Sequence, residues 1–209
     1  VVEASSSRAA KRQAAEAWPP VPPILAPVAA ARPGARPCRG KSLLVMRGIP
    51  GSGKSTLAKR LQAQLQDRGV KVGICSNDFY WDEVGEDFTF RKIGQAVAFC
   101  RELFDRAVTD GAQVIILDNM NLQRRYFDNY LSAAERHGYV PLLLNLEARD
   151  MDDALDCGNR NGHALDPQAA AEKMHFWENV EGFHHVELAA PLRGGMAGVE
   201  PVMAWINDR

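Results

Sequence analysis

Apolar residues along this chain gather into short uninterrupted runs: Leu43 to Met46, Val70 to Cys75, Val114 to Leu117, Val140 to Leu146 and, more weakly, Val199 to Trp205. Each run is rich in Val, Ile and Leu and bounded by polar residues or glycine, as expected of strands buried on both faces. Between them, apolar positions recur at helical spacing over Lys54 to Arg68, Phe90 to Thr109, Arg124 to His137, Met151 to Cys157 and Pro167 to Val180. Gly69, Gly111 and Gly138 each follow a helical stretch, where a left-handed cap favours glycine. Alternation of strand and helix predicts an α/β fold, a doubly wound parallel sheet of about five strands with helices on both faces.

Residues 1–41 break this pattern. They hold seven of the twelve prolines and eleven alanines, too little apolar surface to offset chain entropy. A disordered basic tail is expected there, with a short helix over Arg8 to Ala17, serving as a low-complexity linker or a targeting segment. The chain opens on Val1 rather than methionine, which reads as a fragment or a processed product. The tail carries seven Lys/Arg against Glu3 and Glu16, so the net charge of -1 splits into +5 for the tail and -6 for residues 42–209. An acidic body without a basic stripe argues against a tight sequence-independent grip on nucleic acid, though not against contact with a chain end. Cys38, Cys75, Cys100 and Cys157 lie far apart with no CxxC pair, so neither a zinc knuckle nor a disulfide framework is expected. His175, Trp177, His184 and His185 lack the ligand spacing of a metal site and read as packing or surface residues. No apolar run reaches the length of a membrane span, so a soluble chain of the cytoplasm or nucleus is expected, or an organelle if the tail is a transit peptide.

The segment GIPGSGKST, Gly48 to Thr56, fits G-x-x-x-x-G-K-[ST] through Gly48, Gly53, Lys54 and Ser55. A buried strand precedes it and an amphipathic helix follows, the setting a P-loop NTPase needs. Gly48, Gly51 and Gly53 would let the backbone turn its N–H groups inward, with Pro50 and Ser52 in the same nucleotide-binding loop, and the helix starting at Lys54, Ser55 and Thr56 adds its positive end. The expected ligands are ATP and Mg²⁺, with Lys54 on the outer phosphates and Ser55 on the metal.

Chemistry in doubly wound sheets gathers at the carboxyl ends of strands. The second run leads into Ser76, Asn77, Asp78, Phe79, Tyr80 and Trp81; Asp78 is a candidate general base, and the aromatics could stack on an acceptor. The third run ends in Asp118, a second candidate for Mg²⁺, followed by Asn119, Met120 and Asn121. Arg124 and Arg125 start the next helical stretch, where a positive pair could meet a substrate phosphate.

Taken together, GIPGSGKST, SNDFYW, VIILDNMNL and PLLLNLE resemble the polynucleotide-kinase-like P-loop kinases, a group with 5′-hydroxyl polynucleotide kinases, zeta-toxin-like kinases and kinase-like domains of ubiquitin-ligase-binding proteins. The likeness runs from about Ser42 to Val180. It implies ATP-dependent phosphoryl transfer to a hydroxyl, either a nucleic-acid end or a small metabolite or nucleotide. It also implies a helical lid over about 150–171 in which Arg160 closes on the phosphate. Asn77, Tyr80, Asn121, Arg124 and Arg125 would lie on the acceptor side. Two departures stand out. Asn77 occupies a place where the family commonly has a carboxylate, and the lid holds few arginines, Arg149 and Arg160 alone. The rival reading is a nucleotide-binding interaction module that has lost transfer and uses its basic tail to dock a protein partner.

Overall fold

In the computed structural model, residues 40–162, 165–193 and 198–209 are described, so the expected tail up to residue 39, with its helix and Cys38, lies outside them. Five parallel strands form one sheet in the order β2-β3-β1-β4-β5: β1 Lys41–Gly48, β2 Val72–Cys75, β3 Val114–Asp118, β4 Tyr139–Glu147 and β5 His184–Ala189. Alternate residues along the central strands face two separate cores. Leu44, Met46, Val114, Ile116, Leu142 and Leu144 face α1 (Lys54–Gln66) and α7 (Val199–Asn207). Leu43, Val45, Ile115, Leu117 and Leu143 face α2 (Asp78–Val84), α3 (Ile93–Thr109) and α4 (Asp128–Arg136). This two-sided burial is why the strands read as unbroken apolar runs.

The order of strands places the switch in chain direction beside β1, with β3 on one flank and β4 on the other. Ligands of open α/β sheets bind at the carboxyl ends there. Met46 of β1 lies in register with Asp118 of β3, so the phosphate loop after β1 and the carboxylate ending β3 emerge side by side. Gly69, Gly111 and Gly138 all have positive φ after their helices, as the sequence predicts.

The carboxyl-terminal third departs from the expected pattern. Val199 to Trp205 is the helix α7, whose Val199, Val202, Met203 and Ile206 recur at helical spacing against the core, with Pro201 tolerated in the first turn. The fifth strand is His184–Ala189 instead. It lies at the sheet edge and is only partly covered, so it shows no continuous apolar run. A helix α2 also follows β2 directly; the stretch expected over Met151 to Cys157 is α5 (Met151–Asn159), while the one expected over Pro167 to Val180 ends earlier, as α6 (Pro167–Ala171) and a 3₁₀ turn over Glu172–Phe176. Among the described residues, no helix is long and apolar enough to cross a membrane.

Candidate functional site

Gly48 to Thr56 wraps tightly between strand and helix. A Cβ at Gly48 would stand 2.6 Å from Ser52 Oγ and 2.8 Å from Leu146 O, so no side chain fits there. Gly53 caps α1 with a φ of +103°, and its missing Cβ leaves room for Leu192, whose N–H donates to Ser52 O at 2.9 Å. The first-turn N–H groups of α1, as at any helix start, have no intrahelical acceptors, an arrangement that suits an anion. Lys54 is buried and donates from Nζ to Ile49 O at 2.8 Å and Ser52 Oγ at 3.4 Å. Burial pushes its pKa down, while Asp118 and then Asp78 oppose that shift.

Asp118 is the counterpart. It is buried, and among the described residues nothing hydrogen-bonds its Oδ1. Burial raises its pKa, against the pull of Lys54 and of a hydrogen bond from the Ser55 hydroxyl. A buried carboxylate oxygen with spare acceptor capacity beside a hydroxyl is a hard oxygen donor pair, the chemistry that suits Mg²⁺. The residues present therefore fit the cation.

Asp78 begins α2 with an exposed side chain, and its charge is felt by both Lys54 and Asp118. Asn77, half-buried, is fixed by its main chain, which donates to Asn119 Oδ1 at 2.9 Å. The carboxylate of this strand end thus stands at position 78. Ser76, which the sequence did not single out, holds the group together: its hydroxyl donates to Asp118 O at 2.8 Å and accepts from the Asp78 N–H at 3.2 Å.

The segment expected to form a lid lies against the phosphate loop. A Cβ at Gly51 would be 1.9 Å from Cys157 O, so the end of α5 touches the loop through a position that only glycine allows. Arg160 ends α5 and lines a cavity of about 370 Å³ with Gly53, Thr56, Arg60, Leu192 and Arg193. Three arginines from α1, the end of α5 and the segment after β5 thus converge beside the helix end of the loop. Arg193 also donates to Asp156 Oδ2 at 2.6 Å, tying that segment to α5. Arg149, which precedes α5, folds onto that helix and donates to Asp153 Oδ2 at 2.7 Å. Arg60 and Arg193, which the sequence gave no reason to group with Arg160, stand beside it in this cavity.

Residues expected on the acceptor side divide. Tyr80 is buried, edge-on to Trp81 and Phe99, and its hydroxyl donates to Gln95 Oε1 at 2.5 Å. Asn121 is buried as well, has a φ of +46°, and donates from Nδ2 to Met46 O at 2.8 Å. Both are therefore turned into the protein rather than toward an incoming acceptor. Arg124 pairs with Asp128 at 2.9 Å and Arg125 lies over the Tyr126 ring, both exposed. Phe88 and Phe90, unlike Tyr80, extend the aromatic contacts from Trp81 to the surface, where they are 51% and 80% exposed. Cys75, Cys100 and Cys157 are buried thiols, and no His, Cys, Asp and Glu group among the described residues is arranged to hold a metal ion by itself.

Comparison with known proteins places this geometry. A family model described as AAA domain matches residues 43–174, more than half of the chain. Human NEDD4-binding protein 2 is 25% identical over 139 residues, covering 66% of this chain and 8% of that protein. The mouse 2′,3′-cyclic-nucleotide 3′-phosphodiesterase is 31% identical over 109 residues, covering 50% of this chain and 23% of its own length. The chain therefore spans only a small part of the curated relatives it matches. Among solved structures, a gluconokinase from Sinorhizobium meliloti 1021 superposes with a TM-score of 0.53 at 17% identity, covering 83% of this chain and 94% of that one. The Mycobacterium tuberculosis APS kinase CysC, in complex with AMPPNP and APS, gives 0.55 at 16% identity, covering 80% and 96%. With its five-stranded parallel sheet, its phosphate loop and these kinase neighbours in fold, the chain belongs to the AAA domain family and has a P-loop kinase-like fold.

Proposed function

We propose that this chain is an ATP-dependent kinase that transfers the γ-phosphoryl group to a hydroxyl acceptor. The observation that carries the proposal is the grouping of Lys54, Asp118 and Asp78: a buried ammonium inside the phosphate loop, a buried carboxylate with an unsatisfied oxygen, and an exposed carboxylate coupled to both. In this reading the main-chain N–H groups of Gly51 and of Gly53 to Thr56, with the Lys54 ammonium, hold the phosphates. Ser55 and Asp118 would hold Mg²⁺, which supplies charge neutralisation across the β- and γ-phosphates. Arg160, the lid arginine that the resemblance brings onto the phosphate, lines the cavity next to Thr56 with Arg60 and Leu192, and would contact ATP from that side. Asp78 accepts the proton as the acceptor oxygen attacks the γ-phosphorus and the bond to the bridging oxygen breaks. Transfer of this kind depends mostly on positioning and charge stabilisation, so Lys54 matters more to the rate than the base.

Two acceptor classes fit, a polynucleotide 5′-hydroxyl and a small metabolite or nucleotide. Likeness to a phosphodiesterase of 2′,3′-cyclic nucleotides supports testing nucleic-acid ends first. The test is ATP consumption with 5′-hydroxyl oligonucleotides, nucleosides and polyols, run beside Lys54→Ala and Asp78→Asn. Turnover on one acceptor, abolished in Lys54→Ala and lowered by about 10²- to 10⁴-fold in Asp78→Asn, is the expected result. Binding of ATP with no turnover on any acceptor overturns the kinase reading in favour of a nucleotide-binding module. Unchanged turnover in Asp78→Asn removes Asp78 from the role of base.

A further inference from the structure

Arg47 immediately precedes the phosphate loop and is 1% exposed, yet it sits on a central strand whose other residues up to Met46 are mostly aliphatic. Burying a guanidinium carries a large desolvation penalty, and an apolar side chain at such a position is often as stable or more so. Stability alone therefore does not account for arginine here. Its donors go to specific places. Nε donates to Asn121 O at 3.0 Å, one terminal nitrogen to Leu122 O at 3.0 Å and Glu178 O at 2.5 Å, and the other to Asn145 Oδ1 at 3.0 Å. The Trp177 ring covers the guanidinium at 4.4 Å.

Two segments meet at this fork. One is the loop that follows Asp118; the other is the stretch by which the chain leaves α6 and its 3₁₀ turn. They are also bonded to each other, since the Glu178 N–H donates to Leu122 O at 3.0 Å and Glu178 Oε2 accepts from the Arg124 N–H at 2.8 Å. The residues on either side of Arg47 grip the same loop: Gly48 N–H donates to Met120 O at 2.9 Å, and Met46 O accepts from Asn121 Nδ2 at 2.8 Å. Three consecutive residues of β1 thus clasp residues 120–122. A lysine could not replace the fork, because its donors radiate from a single point.

We infer that Arg47 is a positioning residue that sets Asp118 against Lys54 and Ser55 and anchors the segment returning from α6. This inference rests on the reading of Asp118 as a metal-holding carboxylate in phosphoryl transfer. Partners behind metal ligands commonly govern metal affinity or activity by about 10- to 100-fold. In Arg47→Lys, the Mg²⁺ concentration giving half-maximal turnover is expected to rise about 10- to 100-fold, while the KM for ATP at saturating Mg²⁺ stays near that of the wild type. Amide hydrogen exchange should quicken about tenfold or more at Gly48, Arg124 and Glu178, whose N–H groups donate across the clasp, with β2 and α3 unaffected.

Arg47→Met removes the fork entirely, and Arg47→Lys keeps charge and chain length should the methionine variant fail to fold. An Arg47→Lys protein with unchanged Mg²⁺ dependence and unchanged exchange at Gly48, Arg124 and Glu178 overturns the inference. So does a loss of turnover that merely follows the folded fraction in a melt. If the wild type turns over no acceptor, the kinase reading fails, and the exchange measurement alone then decides whether Arg47 clasps the loop.

Discussion

Gly51 is where the phosphate loop meets α5, and replacing it with alanine tests that contact directly. Its φ is +74°, and a Cβ there would stand 1.9 Å from Cys157 O and 3.0 Å from Asn161 N. Two costs superpose. A left-handed backbone costs an L-residue about 1–2 kcal/mol. Overpacking against a main-chain oxygen adds about 1–3 kcal/mol, and loop or helix must shift by about 1 Å to relieve it. Gly138 separates the two, because its φ is +75° and a Cβ there meets nothing within 4 Å. Gly138→Ala should lower the Tm by about 2–8 °C through the backbone cost alone, with nucleotide binding and turnover unchanged. Gly51→Ala should melt lower still and lose about 100-fold in ATP consumption, since a misplacement of about 1 Å has an effect of that size on aligned groups. Calorimetry and a coupled ATP assay on the two variants read both quantities. Equal melting of the two, with normal turnover in Gly51→Ala, would refute the contact between loop and helix.

Arg160→Ala should weaken ATP binding by about 1.5–3 kcal/mol, roughly 10- to 100-fold, the scale of a charged hydrogen bond, as measured by calorimetric titration. Asn121→Ala should cost about 1–3 kcal/mol of stability through its positive φ and its lost bond to Met46 O, and Asn121→Gly should recover the backbone part, both read in a denaturant titration. The Asp153 carboxyl, held below its ordinary pKa by the Arg149 guanidinium, gives the pH dependence. Its stabilising contribution to the start of α5 is complete above the usual aspartate range and disappears as pH falls through the lowered value. Carboxyl NMR should show Asp153 titrating at higher pH in Arg149→Met than in the wild type.

Much of the fold was legible because the central strands are covered on both faces. Leu43 to Met46, Val114 to Leu117 and Leu142 to Leu146 are almost fully buried, so their apolar runs marked them as strands. The edges were not legible for the same physical reason. β5 exposes His184, Glu187 and Ala189, and its half-covered pattern looks like surface. Val199 to Trp205 is apolar enough to pass for a strand, and only the spacing of Val202, Met203 and Ile206 marks a helix. Tyr80 misled in another way. Three aromatics beside a candidate base suggested stacking, but α2 turns Tyr80 and Trp81 into the core and leaves the exposed role to Phe88 and Phe90.

The site divides along a similar line. Gly48 to Thr56 is a local solution to binding phosphate, so its geometry is written in nine consecutive residues. Asp118 follows from its place at a strand end, one step beyond local pattern. The cations obey no such rule. Arg60, Arg160 and Arg193 are far apart in the chain and meet only because α1, α5 and the segment after β5 close around Thr56. Counting arginines within the lid therefore missed two of the three that meet there. Arg47 is the extreme case, for its meaning depends on carbonyls of Asn121, Leu122 and Glu178, and main-chain acceptors leave no trace in residue type. Long-range convergence onto backbone groups is thus the part of this site that sequence pattern cannot carry.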